Sequence, residues 1–174
     1  MQDKDLIRAA KFGDKNALSE LVEKYYDEVY AFLFRRLGGR SAAEDLTQET
    51  FIRFIENLPH YKEKNKLKAY IFTVAYNLSN DYFRKIKRET SLQDKELEDS
   101  INVTEETVLK SEKAVVVKQA IESLPKAQMD VIILRYYHDM KISQIAAVTA
   151  VPVSTVKTKL RRAQKALADK LKGV

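Results

Sequence analysis

The chain contains no cysteine, and only 3 prolines and 4 glycines among its 174 residues. Without cysteine there is no disulfide framework, no zinc ribbon and no thiol nucleophile, and nothing points to an oxidising compartment. Scarce proline and glycine mean few sharp turns, which favours long helices. No uninterrupted run approaches 18 apolar residues, so no membrane span is expected. The start, MQDKDLIRAAKFGDK, carries charges where a secretion signal needs its apolar core, and a cytoplasmic protein is expected. The two histidines, His60 and His138, lie in polar, turn-like surroundings and are expected as surface or capping residues. Neither has a carboxylate partner at metal spacing, and the chain has no HExxH and no phosphate-cradling glycine loop. Ser41 and Ser154 read as cap-position serines with no triad around them, so no enzyme, metal or cofactor is expected.

What is present is 45% hydrophobic and 32% charged residues, too apolar for general disorder and consistent with an all-α protein. The length allows one sizeable core or two small ones. Charge is distributed in blocks. Residues 1–59 hold 9 basic and 11 acidic residues, 60–88 hold 8 and 2, 89–112 hold 2 and 8, and 113–174 hold 12 and 4. Two basic blocks therefore flank an acidic one, which fits a polyanion touched at two places.

Helical spacing opens with Leu6, Ile7 and Ala10, and Gly13-Asp14 offers a C-cap followed by an N-cap. The next helix runs from there to Gly38-Gly39, with Tyr25, Tyr26, Tyr30, Phe32 and Phe34 explained as core by their period. Ser41 with Glu44 three residues on forms a capping-box pattern for a helix that runs to Pro59. Phe51, Phe54, Ile55 and Leu58 make its apolar side, while Asp45, Gln48, Glu49 and Arg53 make a mixed polar side suited to a partner helix or to solvent. After it, HYKEKNK is a short polar loop in which Tyr61 and Asn65 offer stacking and hydrogen bonding amid lysines.

The stretch Leu67–Arg88, LKAYIFTVAYNLSNDYFRKIKR, would span roughly 33 Å as one helix. Leu67, Ile71, Val74, Ala75, Leu78, Tyr82 and Ile86 fall on one stripe; Thr73, Tyr76, Asn77, Asn80, Arg84 and Lys87 fall opposite. The second side suits phosphates or exposed bases, and equally a solvated basic face. Residues 89–110 have too little apolar surface to offset ordering entropy, so a flexible acidic linker is expected over 91–110, between domains at 1–90 and 111–174. Beyond it, a short helix ISQIAAVTA, a tight connection and VSTVKTKLRRAQKALADKL describe a helix-turn-helix. Ser154, Thr155 and Thr158 can exchange hydrogen bonds with base edges, Lys157 and Arg161 can reach guanine acceptors or phosphates, and Arg162 suits the backbone. Val153, Val156, Leu160, Ala163, Leu167 and Leu171 form the apolar stripe.

Three segments in this order, DLTQETF, AYNLSNDYFR and STVKTKLRRA, resemble the extracytoplasmic-function (ECF) group of bacterial sigma-70 family sigma factors. The resemblance spans nearly the whole chain. It implies two helical domains without catalysis of their own, a core RNA polymerase and promoter DNA as partners, and an anti-sigma factor as the usual regulator. It implies polymerase binding by Asp45, Gln48, Glu49, Phe51, Arg53 and Phe54. It implies capture and opening of the −10 element by Tyr61, Asn65, Tyr70, Tyr76, Asn77, Asn80 and Arg84, and reading of the −35 element by Ser154, Thr155, Lys157, Thr158, Arg161 and Arg162. The chain departs from the family pattern at Tyr70, where many relatives have tryptophan, at Ala150, where the turn often has glycine, and at Thr149, a usually apolar site.

Overall fold

The computed structural model describes residues 2–62, 66–93 and 112–173. All regular structure in them is helical, and the chain divides into two compact units, Met1–Asn102 and Val103–Val174. The acidic stretch expected as a linker lies outside the described residues except at 91–93, which continue the preceding helix three residues past the expected boundary at 90.

The first unit contains α1 (Asp3–Lys11), α2 (Lys15–Leu37), α3 (Arg40–Asn57) with a 3-10 turn at Leu58–His60, and α4 (Leu67–Gln93). Asp14 caps α2 as its position suggests, accepting from the Asn16 and Ala17 amides at 2.9 and 3.1 Å. Gly38, at φ 74°, ends α2 in the left-handed region that glycine enters without a Cβ clash. The expected Ser41 capping box does not form. Gly39 is extended and serves as the N-cap, α3 starts at Arg40, and Ser41 falls inside the first turn. With the glycine pair completing the reversal so early, Glu44 instead takes an i, i+4 ion pair from Arg40 at 3.3 Å.

The core of this unit joins Leu6 and Ile7 of α1, Leu21, Val29, Phe32 and Leu33 of α2, Phe51 and Phe54 of α3, and Ile71, Phe72 and Ala75 of α4. Each large side chain so buried contributes about 1.5–3 kcal/mol. The Phe32 and Phe72 rings meet at 5.2 Å and tie α2 to α4. Of the five aromatics expected in the core, Tyr25 and Phe32 are buried, whereas Tyr26, Tyr30 and Phe34 are half-buried. Thr47 and Thr50 are fully buried because their hydroxyls donate back to the Ala43 and Leu46 carbonyls at 2.6 Å each.

The second unit contains α5 (Glu112–Glu122), α6 (Lys126–Ile132), α7 (Ile142–Thr149) and α8 (Val153–Lys170). α6 does not stop at Ile132 but widens into a π-helical turn over Ile133–Tyr137. Beyond it the Met140 amide donates to the Leu134 carbonyl at 3.1 Å, and Arg135 Nη1 donates to the Met140 carbonyl at 2.9 Å. This folding back corrects the expectation for His138, which is 3% exposed rather than at the surface. Tyr136 and Tyr137, by contrast, are exposed. Ile121, Leu124, Val131, Ile132, Ile145, Val148, Val156 and Leu160 fill the core.

Ala150 joins α7 to α8 at φ 56° and ψ 39°, so the turn takes the left-handed conformation without the glycine that would adopt it freely. The Val151 amide then reaches back to the Ala146 carbonyl at 3.2 Å. Pro152 caps α8, whose amides at Thr155 and Val156 bond to its carbonyl at 3.0 and 3.1 Å. Ser154 is therefore in the first turn and not the cap, and Val153 is 41% exposed instead of continuing the apolar stripe.

Candidate nucleic-acid interface

Three helical faces carry the residues singled out from the sequence. On α3, Asp45, Gln48 and Arg53 are exposed and Glu49 is half-buried, with Arg53 Nε donating to Glu49 Oε1 at 3.1 Å. Phe51 and Phe54 do not belong to this face. They are 4% and 0% exposed, and Phe51 stacks on Tyr26 at 5.6 Å while Phe54 meets Tyr70 at 6.3 Å. Their expected docking role is corrected to core packing, because both rings are spent on α2 and α4. The apolar part of the face is instead Ile52 and Ile55, 49% and 41% exposed. Their spacing held the signal: Ile52 and Ile55 follow Gln48 at i+4 and i+7, which sets both on its side of the helix, with Ile55 at the border towards Phe51 four residues before it.

The second face begins where the 3-10 turn leads into α4. Tyr61 and Tyr70 are half-buried with ring centroids 4.8 Å apart, and the Tyr61 carbonyl accepts from the Lys11 ammonium. The two rings and Phe54 beneath them form an aromatic ledge. Asn65 lies outside the described residues. Further along, Asn77 and Arg84 are exposed, the latter paired with Asp81 three residues before it.

Tyr76 and Asn80 do not share that solvent-facing position. Both are half-buried against Arg36 of α2, a residue absent from the expected set. Arg36 is only 5% exposed. Its guanidinium lies over the Tyr76 ring at 4.3 Å and the Phe83 ring at 5.2 Å, Nη1 donates to Ser79 Oγ, and Nη2 donates to Asn80 Oδ1 at 2.7 Å. The Tyr76 ring, expected at the −10 element, thus has one face covered by a cation. The sequence did mark Arg36, since it continues the buried series Leu21, Tyr25, Val29 and Phe32 at helical spacing.

The third face is the basic side of α8. Ser154, Lys157, Arg161 and Arg162 are exposed, and Thr155 and Thr158 are half-buried. Thr158 Oγ1 donates to the Ser154 carbonyl at 3.0 Å, so its hydroxyl retains lone pairs but has committed its proton to the helix. Gln164 Nε2 donates to Tyr136 Oη at 2.6 Å and holds the exposed tyrosine against the same helix. Among the described residues no group of three His, Asp or Glu side chains is placed to hold a metal ion, and no helix is long and apolar enough to cross a membrane.

Comparison with known proteins gives two family matches in order along the chain: Sigma-70 region 2 over residues 21–89, and Sigma-70, region 4 over residues 114–167. The ECF RNA polymerase sigma factor SigW of Bacillus subtilis is 31% identical, with 99% of this chain and 98% of that protein aligned. The ECF RNA polymerase sigma-E factor of Haemophilus influenzae is 25% identical over 98% of this chain and 96% of its own. Among solved structures, the sigma factor RpoE of Bartonella quintana, in complex with the anti-sigma factor NepR, has TM-score 0.72 at 22% identity, covering 89% of this chain and 96% of that one. CnrH, in complex with the cytosolic domain of CnrY, has TM-score 0.71 at 21% identity over 98% and 97% of the two chains. These two likenesses are of fold.

Proposed function

Because the chain belongs to the ECF group of sigma-70 family RNA polymerase sigma factors, we propose that each of the three faces serves one part of promoter-specific initiation. The protein is a sigma factor that works with core polymerase and promoter DNA, and its regulator is an anti-sigma factor. Within that function, the α3 face of Asp45, Gln48, Glu49, Arg53, Ile52 and Ile55 docks on polymerase. The Tyr61–Tyr70 ledge, with Asn77, Asn80 and Arg84, captures bases of the opening −10 element. The α8 face of Ser154, Thr155, Lys157, Thr158, Arg161 and Arg162 reads the −35 element. The first domain runs past the expected boundary at 90 to the end of α4 at Gln93, the second covers 111–174, and the protein acts in the cytoplasm with no catalysis of its own.

Physically, two DNA-binding modules that are weak alone become effective when polymerase holds both at the separation of the two elements, because linkage raises their effective concentration. Strand opening then draws on binding energy: each unpaired base stacked on an aromatic ring is worth about 1–3 kcal/mol. The observation that carries this assignment is the order of the two family matches along a chain aligned over 99% of its length with one sigma factor. In vitro transcription with core polymerase and genomic DNA tests it. Discrete start sites that depend on the protein are expected, and their absence would overturn the assignment.

A further inference from the structure

Arg36 sits in α2, away from the residues expected to meet the promoter, yet it holds one of them directly. A guanidinium carries five N–H donors and no acceptor. The atom of the Asn80 amide that faces it at 2.7 Å must therefore be the carbonyl oxygen, Oδ1. The amide nitrogen occupies the other branch of the same trigonal carbon, so the Nδ2 protons turn away from α2. Asn80 follows Asn77 by three residues and precedes Arg84 by four, which makes the three neighbours on the surface of α4. An unrestrained asparagine offers either a donor or an acceptor to a ligand. Asn80 has its carbonyl oxygen turned to Arg36, which fixes the amide flip and so the side on which its Nδ2 donors stand.

The anchor itself has little freedom. Arg36 is buried, bonded a second time to Ser79 Oγ, and lies over the rings of Tyr76 and Phe83. Rotating it to release Asn80 would strand a charge in an apolar setting, where an unmet donor is costly.

We infer that Arg36 is a positioning residue for promoter recognition: by fixing the Asn80 amide it presents the Asn80 Nδ2 donors to a hydrogen-bond acceptor on the opened strand. The acceptor is a base-edge oxygen or ring nitrogen, or else a phosphate oxygen. The inference rests on the assignment of α4 to −10 capture.

Holoenzyme assembled from the full chain and core polymerase provides the test, with open-complex formation scored on promoters substituted base by base through the −10 element. A parallel set carries single neutral methylphosphonates in the same strand. Arg36→Met, which removes every donor, and Asn80→Ala are each expected to lower the preference at one and the same template position by about fivefold, the worth of one net hydrogen bond. Their combination should do no more than either alone. Arg36→Lys, also donor-only, should retain most of the preference. Loss confined to a base substitution identifies a base acceptor; loss confined to one methylphosphonate identifies a phosphate. If Arg36→Met weakens all templates equally and Asn80→Ala leaves the preference intact, Arg36 merely joins α2 to α4 and the inference fails. If wild-type holoenzyme shows no template preference, the −10 assignment fails with it.

Discussion

The Tyr61 and Tyr70 rings lie 4.8 Å apart, one contributed by the turn before α4 and the other by its first turn. A ring held by another ring is preorganised for a third partner, and both remain half-buried rather than enclosed. Tyr61→Ala is therefore expected to reduce open-complex formation by about 1–3 kcal/mol, the value of one base–aromatic stack. Binding of holoenzyme to a duplex −35 element should be unchanged. Permanganate reactivity of the −10 thymines measures the first and a mobility shift the second; equal loss in both would assign Tyr61 to folding.

Two substitutions on α3 should separate docking from stability. Ile52, 49% exposed, has room for a charge, so Ile52→Asp should weaken core-polymerase binding by at least tenfold with little change in thermal stability. Phe54 is fully buried, and Phe54→Ala should destabilise the first unit by about 3–5 kcal/mol. Pull-down with core polymerase alongside thermal denaturation of the free protein checks both.

Ala150 adopts φ 56°, a conformation that costs an L-residue about 1 kcal/mol or more. Ala150→Gly should relieve this and, after allowing for the greater freedom of glycine in the unfolded chain, stabilise the second unit by about 0.5 kcal/mol. Ala150→Val should destabilise it, because branching at Cβ aggravates the same clash. Urea denaturation midpoints provide the comparison, and an Ala150→Gly variant less stable than wild type would contradict the strain.

Arg161 is exposed on the basic side of α8 and free to reach a groove. Arg161→Ala should weaken binding to the −35 element by about 1–3 kcal/mol if the side chain pairs with a guanine edge, with far less effect on scrambled DNA. An equal loss on both sequences would reduce it to a phosphate contact, detectable also as a shallower salt dependence.

The helices themselves were legible because hydrophobic period and breakers coincide in this chain: Gly13-Asp14, Gly38-Gly39 and Pro125 each fall at a helix boundary. Burial at the sites was less legible, for reasons that differ by residue. A family-like segment identifies α3 without saying which residues turn inward, so it does not separate Phe51 and Phe54 from their exposed neighbours. Arg36 occupied a core position in the period but carried a charge, and only the arrangement of Tyr76, Ser79, Asn80 and Phe83 on another helix makes its burial tolerable. His138 followed a turn-like sequence whose backbone folds inward, a path set by the Leu134–Met140 hydrogen bond that no local pattern announces.

The π-helical turn at Ile133–Tyr137 has a consequence for how this part of the chain tolerates change. Such a turn accommodates one residue more than an α-helical turn, and one helical position amounts to about 100° of rotation. Tyr136 and Tyr137 outside and His138 inside are therefore a matter of phase as much as of side-chain chemistry. Replacing any one of them alters a surface or a cavity, but deleting a single residue within the turn would rotate everything that follows. Length, rather than composition, is the property this segment has least freedom to vary.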